Sequence, residues 1–177
     1  MYVVYSESML APAPGSSPSA AKPRPVVAAW KALDPSLQCI EPLLVTRAQL
    51  ALAHDRDFVD QVLDGRIANG FGSISAAVGQ SLPYTSGAML RAARLAIDDR
   101  SAVAAPVSGF HHAGWNFVGG YCTFNGLLVT AQVLKHEGRA RRVGILDYDM
   151  HYGGIGSADI IQRLSLDWVT HTSAGAT

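Results

Sequence analysis

A chain of 177 residues, 49% hydrophobic and 16% charged, is long enough to bury a core and too apolar to stay disordered. Lys+Arg and Asp+Glu both number 14, so the formal net charge is zero, and recognition of nucleic acid by bulk charge is disfavoured. Two cysteines with no CxxC pairing, a start without a signal-peptide pattern, and no run of the roughly 18 apolar residues a membrane helix needs point to a soluble, cytoplasmic protein with no membrane partner.

In chain order, residues 2–5 form a short β-prone opening. Residues 11–25 (APAPGSSPSAAKPRP) are rich in Pro, Ser and Ala and read as a loop. A helix is predicted over 26–33, with Val26, Val27, Trp30 and Leu33 on one face. Residues 43–45 are a candidate strand, followed by a capping box at Thr46-Arg-Ala-Gln49. A second helix over 56–63 should stop at Asp64-Gly65, where glycine accepts the left-handed conformation. Residues 67–83 contain Gly70, Gly72 and Gly79, show no sustained period, and read as a loop. Thr85 or Ser86 then opens a long helix carrying Met89, Leu90, Ala93, Leu95, Ala96 and Ile97.

Residues 102–107 and 143–146 are short apolar runs, each followed by polar residues, with a helix predicted between them from Thr123 to His136. Asp159 is placed at the start of a further helix, and a last strand is expected from Asp167. Strand, polar loop, helix, strand, polar loop is the grammar of an α/β fold: a parallel β-sheet with helices on both faces. In such sheets ligands collect at the carboxyl ends of the strands, where both polar clusters fall.

Three clusters carry chemistry. Asp147-Tyr-Asp-Met-His-Tyr-Gly153 places polar residues at i, i+2 and i+4 after a strand; an extended backbone would turn all three to one face. Two carboxylates and an imidazole on a buried face need compensation, which a divalent cation supplies. A frayed, solvated strand end is the competing reading. Ser108-Gly-Phe-His-His-Ala113 offers two adjacent imidazoles, which suit a general base beside an acid or electrostatic helper, or are plain surface histidines. Gly119-Gly-Tyr-Cys-Thr-Phe-Asn125 has glycines that allow close backbone approach to a ligand, a helix cap expected at Thr123, and in Cys122 a thiol expected to be buried and structural.

Together, Gly109-Phe-His-His-Ala113, Gly120-Tyr-Cys-Thr-Phe-Asn125 and Asp147-Tyr-Asp-Met-His-Tyr-Gly153 resemble three consecutive N-terminal motifs of the histone deacetylase and acetylpolyamine amidohydrolase family. The resemblance is clear from about residue 43 to 161. It implies the arginase/deacetylase fold, with residues 1–177 as the N-terminal part of a single domain roughly twice as long. Asp149 and His151 would then be two of three Zn2+ ligands. His111 and His112 would be the tandem catalytic histidines, His111 backed by Asp147 and His112 the general base. Asp147, Asp149 and the His151 carbonyl would help hold a K+ or Na+ ion, and Gly120 and Tyr121 would line a narrow substrate tube. The implied reaction is zinc-dependent hydrolysis of an acetylated amine, either acetyl-lysine or a small acetylpolyamine.

Two departures from the family pattern stand out. The Asp or Asn that the family places three residues after the metal histidine is Gly154 here, within Gly153-Gly-Ile-Gly156. The third zinc ligand and the transition-state tyrosine, which the family places beyond the third motif, are expected to be missing, so the chain alone should be poorly active. A non-catalytic deacetylase-like fragment or binding protein therefore remains an alternative. An arginase-like ureohydrolase is the remoter one, because Gly153 stands where a bridging carboxylate would be required. An exposed half-sheet would favour homo-oligomers.

Overall fold

The computed structural model describes residues 2–12, 19–152 and 154–176, so the middle of the predicted 11–25 loop and Gly153 of the third motif lie outside the described residues. Five parallel strands organise the described residues. β1 (Tyr2–Val4) buries Val3 and Val4 completely and pairs with β2 (Gln38–Ile40) on one side and β3 (Val103–Ala104) on the other, giving the order β2-β1-β3. β4 (Val143–Asp147) and β5 (Val169–Ser173) form a second parallel pair, in register from Val143↔Val169 to Asp147↔Ser173. Parallel neighbours need long crossovers, and helices supply them.

α1 (Pro23–Leu33) starts three residues earlier than predicted. Pro23 occupies the first turn, where a missing N–H costs nothing. Its expected apolar face is mostly open: Val27 is buried, but Leu33 is 85% exposed. Residues 43–45 are not a strand. The Val45 amide donates to the Pro83 carbonyl (3.3 Å), so the segment lies against a helix. The strand is instead Gln38–Ile40, three residues with Gln38 and Cys39 exposed and Ile40 half-buried, too short to show an alternation. α2 (Arg47–Leu50) has the predicted capping box: Gln49 N donates to Thr46 Oγ1 (3.1 Å), and Thr46 N donates to Gln49 Oε1 (2.9 Å). α3 (Arg56–Leu63) matches its predicted bounds, with Gly65 left-handed just beyond.

The largest correction is α4 (Ala76–Asp99), which begins well before Thr85 and runs through Pro83. A helix-interior proline typically costs about 3 kcal/mol in an isolated helix. Here burial of Val78, Ser81 and Leu82 offsets that cost, and the Ser81 and Thr85 hydroxyls donate to the Val78 and Ser81 carbonyls at 2.8 and 3.0 Å. α4 packs against β1, β3 and α5 (Gly126–His136). It approaches residue 43 so closely that a Cβ on Gly87 would sit 1.6 Å from the Leu43 carbonyl oxygen.

α5 is capped by Asn125 rather than Thr123, whose Oγ1 instead accepts from the Gly70 amide at 2.9 Å. β3 is shorter than the predicted 102–107 because only Val103 and Ala104 find partners on β1. Asp159 lies in the middle of α6 (Gly154–Arg163), not at its start, and α6 packs on β5. The main core, including Leu50, Phe58, Val59, Leu90, Leu128, Val129 and Ile160, fills the space between these helices and the β4–β5 pair. No described helix is long and apolar enough to cross a membrane.

Candidate active site

The two polar clusters converge beyond the carboxyl ends of β3 and β4. β4 ends at Asp147 and residues 148–152 bend, so the expected extended register of Asp147, Asp149 and His151 is not what gathers them. Two consecutive side-chain-to-backbone bonds do so. The Asp149 amide donates to Asp147 Oδ1 (3.1 Å) and the His151 amide to Asp149 Oδ1 (2.8 Å), each folding the chain back over two residues. The His151 ring is thereby laid beside Asp149, with Nδ1 2.9 Å from Oδ1.

From the other side, the loop after β3 brings in the tandem histidines. Buried His111 donates from Nδ1 to Asp147 Oδ2 at 2.7 Å, the contact the sequence resemblance implies. The His112 ring lies 4.0 Å from that of His111 and 6.2 Å from that of His151, centroid to centroid. A cleft of about 400 Å³ takes in His111, His112, Gly120, Tyr121, Cys122, Asp149 and His151, with Ser19 and Lys22 on its wall. Gly120 and Tyr121 both have left-handed backbone, at φ +49° and +63°. A Cβ on Gly120 would stand 2.2 Å from His112 Cδ2, so glycine lets the turn close on the His112 ring. Tyr121 is half-exposed, its ring 6.2 Å from that of Phe71.

The electrostatics separate the members. Desolvation, then the neighbouring His111 charge, holds the His112 pKa below the ordinary histidine value, so the ring is neutral at pH 7. Burial works to raise the Asp147 carboxyl, but the Asp149 amide and the His111 ring outweigh it and the net direction is down. Asp149 is lowered by the His151 amide first of all. Burial pushes the Cys122 thiol up to about 11, which leaves it protonated and structural, as expected from its surroundings.

A framework missed at the sequence level holds these parts together. Fully buried His54, between α2 and α3, donates from Nδ1 to the Gly114 carbonyl (2.9 Å) and accepts at Nε2 from the Asn125 amide (2.8 Å). Asn125 in turn donates from Nδ2 to the Ala113 carbonyl (3.1 Å) and to Ser157 Oγ (3.0 Å). The Ser157 amide donates to the His111 carbonyl at 3.1 Å. A Cβ on Gly156 would meet the His111 and His112 carbonyl oxygens at 2.5 Å, so the start of α6 sits directly against the histidine pair. Asp159 Oδ2 accepts from the Trp115 amide at 2.8 Å, a fixed structural role that keeps it out of the cleft. A lone histidine in a helical region carries no sequence signal for such a role; the asparagine ending the second motif was the one available hint.

The donor set bears on a metal. Carboxylate oxygen and imidazole nitrogen are ordinary zinc donors, and Asp149 and His151 present one of each, side by side and half or more exposed to the cleft. The pair fits zinc chemically. Among the described residues, however, no group of three or more His, Cys, Asp or Glu side chains is placed to hold a metal ion. Asp147, implied with Asp149 and His151 as a holder of a monovalent cation, is nine-tenths buried at the base of the same bend.

A family model for the histone deacetylase domain matches residues 20–165. Acetylpolyamine amidohydrolase 1 of Pseudomonas aeruginosa is 49% identical over 53 residues, covering 30% of this chain and 15% of that protein. An uncharacterised protein of Picosynechococcus is 30% identical over 131 residues, covering 71% of this chain and 43% of that protein. Among solved structures, the HDA15 HD domain superposes with a TM-score of 0.80 at 22% identity, covering 97% of this chain and 52% of that one. That likeness establishes the fold, and the chain spans about half the length of the solved relative and less than half of these curated ones. With the family model reaching from the turn before α1 to the end of α6, the protein is a member of the histone deacetylase family.

Proposed function

We propose that these residues are the histidine-bearing and metal-bearing part of a zinc-dependent deacetylase that releases acetate from an acetylated amine. The observation carrying this reading is the His111–Asp147 contact at 2.7 Å, set in one cleft with the Asp149–His151 donor pair. Zinc, when bound, supplies a Lewis acid for the amide carbonyl and lowers the pKa of a bound water. Asp149 and His151 would hold it. Neutral His112 takes the water proton, as a general base must be unprotonated to do. Asp147 fixes the Nδ1–H tautomer of His111, whose Nε2 then faces the reacting amide. Gly120 and Tyr121, on the wall of the cleft, would flank the acyl-amine chain, whether it belongs to acetyl-lysine or to an acetylpolyamine.

Two donors do not make an ordinary catalytic zinc site, which has three protein ligands. The lack of such a group among the described residues supports a second reading, in which the 177 residues by themselves hold zinc weakly and turn over little or no substrate. Zinc titration of wild type beside His151→Ala tests the donor assignment, and equal uptake by the two proteins removes it. Acetyl-lysine and acetylpolyamine assays with added zinc, beside His112→Ala, test the activity. Zinc-dependent turnover abolished in His112→Ala would establish a complete site and reject the second reading.

A further inference from the structure

His171 has no role in the chemistry above, yet its environment is hard to explain as simple packing. It lies on β5, and its side chain is only 7% exposed. Its Nε2 is buried with no hydrogen-bond partner among the described residues. The atom faces Asp147 Oδ2 at 3.4 Å, the same oxygen that accepts from His111 Nδ1 at 2.7 Å. Buried ring nitrogens are nearly always paired, and the misaligned approach needs only a rotation of the ring to become a hydrogen bond. The other carboxylate oxygen, Oδ1, is already taken by the Asp149 amide. Asp147 therefore stands at a junction: one oxygen shapes the bend carrying Asp149 and His151, and the other lies between two imidazoles. β4 and β5 pair in parallel with Ile145 opposite His171 and Asp147 opposite Ser173, so the sheet register itself delivers this ring to that carboxylate.

We propose that His171 is a positioning residue whose Nε2–H holds the Asp147 carboxylate and, through it, sets the Nδ1–H tautomer and ring orientation of His111. Its functional meaning rests on the deacetylase reading of His111, but the relay His171–Asp147–His111 is a property of the chain itself. With His171 donating, the carboxylate cannot swing away, and both of its oxygens remain committed. Without that donor, Oδ2 is held from one side only and the His111 ring gains a second tautomer and rotamer.

The experiment is imidazole proton–nitrogen correlation spectroscopy on the 15N-histidine-labelled chain at one fixed pH. The His111 signals are assigned by their loss in His111→Gln. Wild type should show a downfield, slowly exchanging Nδ1–H on His111. His171→Gln, which keeps a donor at nearly the same reach, should retain it. His171→Val and His171→Met, two apolar replacements of which either suffices, should shift the tautomer ratio about 2- to 10-fold, the population one ordinary hydrogen bond controls. An unchanged His111 signal in a folded apolar variant overturns the proposal. So does its absence from wild type, or its loss in His171→Gln to the same degree as in His171→Val. The relay and the deacetylase reading fail separately: equal zinc uptake by wild type and His151→Ala, with a His111 signal that still moves in His171→Val, removes the zinc-donor assignment and upholds the relay.

Discussion

Acid should loosen this protein through His54, beginning as the pH falls below the ordinary histidine value. The ring is fully buried and donates to the Gly114 carbonyl while accepting from the Asn125 amide, so only the neutral Nδ1–H tautomer satisfies both bonds. Desolvation holds its pKa at about 4, against an ordinary 6.5. A histidine depressed in the folded state is protonated more readily in the unfolded chain, so the stabilisation is complete above pH 6.5 and is lost as pH falls toward 4. At about 1.4 kcal/mol per pH unit, the loss amounts to about 3 kcal/mol across that window. Urea unfolding at steps from pH 7.5 to pH 4.5 reads it directly. His54→Gln keeps a donor and an acceptor but cannot titrate, so it should be less stable at neutral pH by about 1–3 kcal/mol and show a shallower decline with acid. Parallel pH profiles for the two proteins would refute the argument. Because Gly114 and Asn125 close the loops behind the histidine pair, the same protonation should also loosen the site.

Gly156→Ala should push α6 off the histidine pair, since its Cβ would meet backbone atoms of His111 and His112 at 2.4–2.5 Å. An overpacking cost of about 1–3 kcal/mol is expected, seen as a melting temperature lower by roughly 2–12 °C. Asp147→Asn should lower thermal stability more than His112→Ala does and weaken zinc binding by about 10–100-fold, because Asp147 holds both His111 and the Asp149 bend. A larger drop in melting temperature for His112→Ala would mean that the roles of the two are reversed. Mixing the chain with zinc and an acetylated amine should give at most weak turnover, and a robust rate that disappears in His112→Ala would contradict that expectation.

The sequence was most legible where chemistry is local. The Thr46–Gln49 capping box depends on residues three apart, and Gly65 ends α3 through its own backbone freedom, so both could be read from a few letters. The strand preceding Asp147 was visible as an apolar run, and three motifs in order carried the family. α4 was not legible through Pro83, because local propensity says stop and only the burial of Val78 and Leu82 against distant elements overrules it. β2 was hidden for the opposite reason: its pairing with β1 is made by backbone groups, while only Ile40 of its three side chains is even half-buried, leaving no hydrophobic period.

At the site the division is equally physical. The sequence by itself determined which groups are present: two imidazoles after one strand, and two carboxylates and an imidazole after another. Their assembly was decided by the tertiary structure. Asp149 and His151 are gathered by amide-to-carboxylate bends rather than by strand alternation, and Asp147, where the bends begin, is joined to the tandem histidines only through its contact with the His111 ring. His54, Ser157 and His171 lie 57, 46 and 60 residues from His111 along the chain, and each bears on it only through hydrogen bonds and sheet pairing that the fold creates. No local pattern encodes a contact between residues so far apart in sequence, because the free energy favouring it comes from burying both partners together.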